Sequence, residues 1–170
     1  MDLLDVLEAT LELINTRPLG RRPDALERPS NISPRLLELI PRQNATSSVD
    51  VRTSESVTEV RQLRDAFAFA VLAESPTEAH RALQKLRDIS PATTTPDGAS
   101  GSLAAELAQA LIPLLQQAIA EGAMEWVQTC PDRACQTVFL NRARTRRRRY
   151  CSRRCGTRAR MVRHRQRHSE

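Results

Sequence analysis

Residues 130–155 read CPDRACQTVFLNRARTRRRRYCSRRC, and every cysteine of the 170-residue chain lies within them. The spacing is Cys130-x4-Cys135-x15-Cys151-x3-Cys155. Two close pairs joined by a connecting segment suit a tetrahedral ion, because each pair supplies two ligands and the segment folds one pair onto the other. Thiolates are soft donors that favour zinc, although an iron centre uses the same four sulfurs. Four thiolates close the shell and leave no position for a reactive water, so the spacing predicts one structural Zn2+ on Cys130, Cys135, Cys151 and Cys155. Disulfides are the competing reading, disfavoured where cytosolic thiols stay reduced. The metal is also needed energetically. Val138, Phe139, Leu140, Tyr150, Met161 and Val162 make a very small core, and zinc coordination contributes roughly 10 kcal/mol in comparable fingers. Thr137 to Leu140 is expected to form a strand, and Met124 to Val127 a short extended lead-in.

Charge is distributed unevenly around this cluster. Residues 1–128 hold 12 Arg and Lys against 18 Asp and Glu, a net of −6, whereas residues 129–170 hold 14 Arg against two acids, a net of +12. A polyanion would therefore meet the C-terminal quarter. Arg146, Arg147, Arg148 and Arg149 lie between the pairs, Arg153 and Arg154 inside the second pair, and Arg158, Arg160, Arg163, Arg165 and Arg167 on a segment expected to be helical. These eleven are the candidate nucleic-acid contacts, since guanidinium groups bind phosphate through charge-assisted hydrogen bonds. Met161 and Val162 are expected to pack back on the finger, and His164 and His168 to lie at the surface.

Upstream, the pattern is helical. Leu3, Leu4, Leu7, Leu11 and Ile14 recur at helical spacing. Ser33-Pro34 reads as a helix start, with Leu36, Leu37, Leu39 and Ile40 following before Pro41. Val60, Leu63, Phe67, Ala70 and Val71 form one apolar stripe within 57–73. Ser75-Pro76-Thr77-Glu78 combines N-cap, first-turn proline and capping-box glutamate for a helix to about Ile89. Residues 90–101 have linker composition. Ser102 should cap a helix through about Glu121, with Pro113 expected to kink or break it. The predicted fold is mainly α: a helical domain over 1–123, then a small four-cysteine zinc finger with a short β element and a basic C-terminal helix over 124–170. No apolar stretch approaches the roughly 18 residues of a membrane span, no basic leader opens the chain, and the expected location is cytoplasmic. Neither a phosphate-cradling glycine loop nor a nucleophile–base arrangement is present, so an enzyme is not expected; His80 reads as structural.

The run Cys130-x4-Cys135, Phe139-Leu140-Asn141-Arg142, Arg148-Arg149-Tyr150-Cys151-Ser152 and Cys155-Gly156-Thr157-Arg158 resembles the bacterial CGNR zinc finger. Thr157 stands where the signature has Asn, Tyr150 where Trp is usual and Asn141 where Asp is usual. In that family the finger follows a helix-rich ABATE domain, which Leu13-Ile14-Asn15-Thr16 and Leu63-Arg64 resemble. The resemblance implies a stress-induced transcription regulator whose finger binds duplex DNA and whose N-terminal domain senses a small effector. An RNA-binding or ribosome-associated module and a redox- or zinc-responsive protein-interaction module are the alternatives.

Overall fold

A computed structural model of the chain describes residues 2–19, 22–27, 31–40, 54–89, 102–142 and 148–168. The elements follow in the order α1 (Leu3–Ile14), α2 (Pro34–Leu37), α3 (Ser54–Val71), α4 (Pro76–Ile89) and α5 (Leu103–Ala120). A 3-10 turn (Ala123–Trp126), β1 (Val127–Thr129), β2 (Val138–Leu140) and α6 (Arg153–Arg167) complete the order. The architecture is the expected one: helices, a short β element beside four cysteines, and a basic terminal helix.

Local sequence accounts for most boundaries. Asp2 caps α1 by accepting from the Leu4 amide. Ser102 caps α5 by accepting from Ala105, and Ser75 Oγ accepts from Glu78 N at the start of α4. Each satisfies a donor that the first helical turn leaves free. Ser33 departs from its expected role. Its hydroxyl donates to Glu12 Oε2 at 2.6 Å, a charge-assisted bond that ties it to α1, and makes no capping bond to a backbone amide. The helix after it, α2, is four residues long and ends before Leu39 and Ile40.

Pro113 neither ends nor splits α5. Pro113 and Gln109, whose carbonyl loses its partner, are both exposed, so water can replace the missing bond. Contrary to the expectation from sequence, α5 is long and apolar enough by length and composition to cross a membrane; half of it is buried inside the protein, where it packs on α1, α3 and α4. Glu106, its single charged residue, is buried, which pushes its carboxyl above the usual range.

The core gathers Leu7, Ile14, Phe67, Leu83, Leu107, Leu111 and Leu115, all essentially inaccessible. Beside it Arg64, 2% exposed, donates to both oxygens of Asp24 at 2.8 and 2.9 Å and to Asp65 at 2.8 Å. That arrangement lets a guanidinium enter the interior, since a buried charge needs both a partner and satisfied donors. The expected linker at 90–101 lies outside the described residues.

The lead-in to the first cysteine differs from expectation. Residues 123–126 form a 3-10 turn rather than an extended segment. Gly122 stands at φ 73°, a left-handed value that glycine adopts without penalty, and it ends α5 and reverses the chain tightly into that turn. β1 and β2 then pair antiparallel, with Val127 opposite Leu140 and Thr129 opposite Val138. Val138 and Leu140 join the helical core, whereas Phe139 packs with the cysteines.

Candidate metal centre and basic helix

The first cysteine pair sits in a tight knuckle. Cys130 N donates to Thr137 O at 2.8 Å, extending the β ladder by one bond. Asp132 organises the turn: its carbonyl accepts from Cys135 N at 2.7 Å and Gln136 N at 3.0 Å, and its Oδ1 accepts from Ala134 N at 3.1 Å. Gln136 is the only non-glycine residue with positive φ among the described residues, at 53°. The left-handed step costs about 1 kcal/mol and swings the chain back so that Thr137 can meet Cys130.

The second pair belongs to the start of α6. Ser152 is extended, and its hydroxyl accepts from Cys155 N at 3.3 Å, a helix cap placed between the two ligands. Cys155 therefore lies in the first helical turn; the bond with Ser152 acts to lower its thiol, but burial and the neighbouring Cys135 sulfur outweigh it and hold the thiol above its usual range.

The four sulfurs lie within 4.8 Å of one another. Cys135 Sγ is 3.5 Å from Cys151 Sγ, which is 3.7 Å from Cys155 Sγ. A tetrahedral shell with zinc–sulfur bonds of about 2.3 Å has sulfur edges of about 3.8 Å, whereas a disulfide requires about 2.05 Å. The cysteines are free thiols spaced as ligands. Their acidities agree. Burial, then the neighbouring sulfurs, pushes the Cys151 thiol up to about 12. For Cys135 burial also acts upward, but hydrogen bonds from the Thr137 side chain and backbone outweigh it and bring the thiol down to about 7. Four sulfurs this close cannot all be anionic without a cation among them, and the donor set fits one structural zinc.

Contacts from the helical body hold this centre. Arg22 Nη2 donates to Cys135 O at 3.0 Å and to Thr137 Oγ1 at 2.8 Å. Thr137 Oγ1 lies 3.1 Å from Cys135 Sγ. Because a guanidinium only donates, Arg22 occupies a lone pair of the hydroxyl and leaves its proton for the sulfur. Asn15 pairs with Val138 as another strand would: Asn15 Nδ2 donates to Val138 O at 2.7 Å, and Val138 N donates to Asn15 Oδ1 at 2.9 Å. Arg142 bridges Asp5 at 2.8 Å and Glu8 at 3.2 Å on the acidic face of α1. Arg22 carries no signal in the sequence, and Asn15 and Arg142, although they stand in the family-like runs, give no sign there of their partners, because each partner lies more than 100 residues away.

The candidate arginines divide into groups. Arg146 and Arg147 lie outside the described residues. Arg148 donates to Tyr150 O at 3.1 Å and to Cys151 O, and its guanidinium sits 5.1 Å from the centre of the Phe139 ring. Arg158 Nε stands 3.0 Å from Asp132 Oδ2, and its Nη2 is 4.0 Å from Cys155 Sγ. It thus links the two knuckles and sets positive charge beside a thiolate. Arg149, Arg153, Arg154, Arg160, Arg163, Arg165 and Arg167 are exposed. Only Cys155 in α6 is buried. Met161 and Val162, expected to pack inward, are 54% and 47% exposed; the cysteine cluster packs with Phe139 and Tyr150 instead, and α6 runs out past it.

Compared with known families, residues 127–168 match the model of the CGNR zinc finger. They are a zinc-binding module, and the match begins at β1 and ends with α6. No curated protein matches the chain.

Proposed function

We propose that the zinc module presents α6 to duplex DNA and that the protein acts as a transcription regulator. The observation carrying this reading is α6 itself. It is a 15-residue helix with seven arginines and no acid, fixed at one end to the metal centre through Cys155 and otherwise exposed. At 1.5 Å per residue it extends about 22 Å. The density of like charge on so exposed an element is self-repulsive until phosphates neutralise it.

Several arrangements favour duplex over single-stranded RNA. Reading of single strands relies on exposed aromatic platforms. Phe139 is buried beneath Arg148, and Tyr150 packs on the cysteine cluster. We further propose that residues 1–123 form an ABATE-like sensing domain and residues 124–170 the binding domain. The two ABATE-like stretches meet in space, with Arg64 Nη1 3.4 Å from Thr16 Oγ1, beside Asn15, which grips β2. A small effector acting on the helical domain would have a direct line to the finger through that contact. The protein is proposed to be non-enzymatic, its closed sulfur shell serving as scaffold.

Fluorescence anisotropy with zinc-loaded protein and labelled duplex across a salt series tests the reading. Binding should weaken steeply with salt, with a log–log slope of about −0.9 per neutralised phosphate. Undetectable binding at low salt, or equal loss with an uncharged competitor, would overturn it.

A further inference from the structure

Around α6 each residue turns the helix by about 100°. Cys155 fixes the side that faces the metal, and Ala159 and Gly156, both half-buried, lie to one side of it at about 40° and 100°. Arg153, Arg160, Arg163 and Arg167 then fall in one row along one flank. Arg154, Arg158 and Arg165 fall in a second row, about 150° from the first when measured across the solvent side. The strip between the rows, on the side away from Cys155, holds Thr157, Met161, His164 and His168.

We propose that this strip is a base-reading face for the major groove of B-form DNA, with Thr157, Met161 and His164 as its specificity-determining residues; this rests on the duplex-binding function proposed above. A helix seated in the major groove has a phosphate backbone on each side and base edges in front of it. Two arginine rows with an arginine-free strip between them reproduce that division. An A-form RNA duplex does not accept it, because its major groove is too deep and narrow for side chains to read.

The chemistry of the strip suits base edges. Met161 is a large apolar side chain, 54% exposed, on a helix otherwise polar on that side. In the major groove the thymine methyl offers such a side chain an apolar partner. Thr157 is held by Arg160 Nη2, which donates to its hydroxyl at 3.2 Å. The methyl of Thr157 is thereby fixed, and its hydroxyl proton stays available for an acceptor such as a purine N7. His164 lies in the middle of the strip, its ring 4.3 Å from that of His168, which limits its motion. Arg163 Nε bonds Ala159 O of its own helix, which keeps that side chain on its flank. Val162 lies on the metal-facing side and takes no part.

The experiment uses the full-length, zinc-loaded chain. A random duplex library yields a preferred sequence, and anisotropy then compares that duplex, a scrambled duplex and an RNA duplex of the preferred sequence. The triple variant Thr157→Ala, Met161→Ala, His164→Ala should lose roughly tenfold or more of the preference for selected over scrambled DNA with its salt slope intact. The pair Arg153→Ala, Arg163→Ala should weaken both DNA duplexes alike and reduce the slope by about two. The RNA duplex should bind no better than scrambled DNA. Three results overturn the inference while leaving duplex binding in place: an unchanged preference in the triple variant, a library that returns no preferred sequence, or equal affinity for the RNA duplex. Failure of the wild-type protein to bind any duplex removes the proposed function and the reading face with it.

Discussion

The two halves of the metal centre are held in different ways. Cys130 and Cys135 are built into the helical body: the ladder of β1 and β2 runs into Cys130, Arg22 grips the Cys135 carbonyl, and Asn15 completes the outer edge of β2. Cys151 and Cys155 lie at the start of α6 and meet the first half through side chains: Arg158 to Asp132, Arg148 between the Cys151 carbonyl and the Phe139 ring, Asn141 to the Arg148 carbonyl, and sulfur to sulfur. The first pair is anchored by the backbone of the fold, the second by these side chains and by the ligation for which the four sulfurs are spaced. The zinc is therefore a joint between a body and a lever rather than the centre of a free-standing bead.

The largest test of that contrast is to remove one ligand from each half. Cys155→Ser and Cys130→Ser should both abolish zinc retention, a loss of roughly 10 kcal/mol. They should differ in what else is lost. Cys155→Ser should release α6, seen as a drop in helical circular dichroism, with the melting of the body retained. Cys130→Ser should also lower the melting temperature of the body, since its ladder bond and the packing of Val138 sit on that side. Identical melting curves for the two variants would break the comparison. Asn15→Ala comes next. It strips two bonds from the Val138 backbone and leaves polar groups without partners, a cost of about 2 kcal/mol, read by urea titration as a lower midpoint for the body. A midpoint shift confined to the finger would contradict the anchoring. Arg22→Ala should act on the metal more than on the fold: zinc transfer to a chelator should become roughly 10- to 100-fold more favourable, the range for outer-shell partners, with little change in helicity. The smallest effect belongs to the lever. A Cβ at Gly156 would meet Tyr150 Cδ2 at 3.5 Å, an ordinary contact, so Gly156→Ala should stabilise α6 by up to about 1 kcal/mol and leave the body's melting unchanged. Destabilisation would show that glycine is needed for a conformation other than this one.

What sequence reveals and what it hides follow from range. Helical stripes, caps and the cysteine pairs are set by neighbours within four or five residues, so Val60 to Val71, Ser102 and Cys130-x4-Cys135 are legible directly. The roles of Arg22, Asn15 and Arg142 depend on partners on the far side of the fold, where arginine and asparagine look like any surface residue. Arg158 illustrates an intermediate case. Its charge is plain in sequence, but its orientation toward Asp132 and Cys155 emerges only when the two knuckles meet. Met161 and Val162 look like core because they are apolar; Phe139 and Tyr150 pack on the cysteines in their place. Pro113 is tolerated because the carbonyl it frees faces water, and Gly122 makes the chain turn before it extends.

The alternation along β2 has a further consequence for how this molecule tolerates change. Val138 and Leu140 point to the helices and Phe139 to the sulfurs, and neighbouring strand residues face opposite ways. Adding or deleting one residue between Cys135 and Asn141 would send the aromatic ring into the helical interior and the two aliphatic chains toward the metal at once. No compensating shift is available, because Cys130 and Asn15 fix the strand from both sides. Length in this stretch is thus more constrained than chemistry: an aliphatic exchange at Val138 is a local repair, while a single inserted codon would misassign two interiors together.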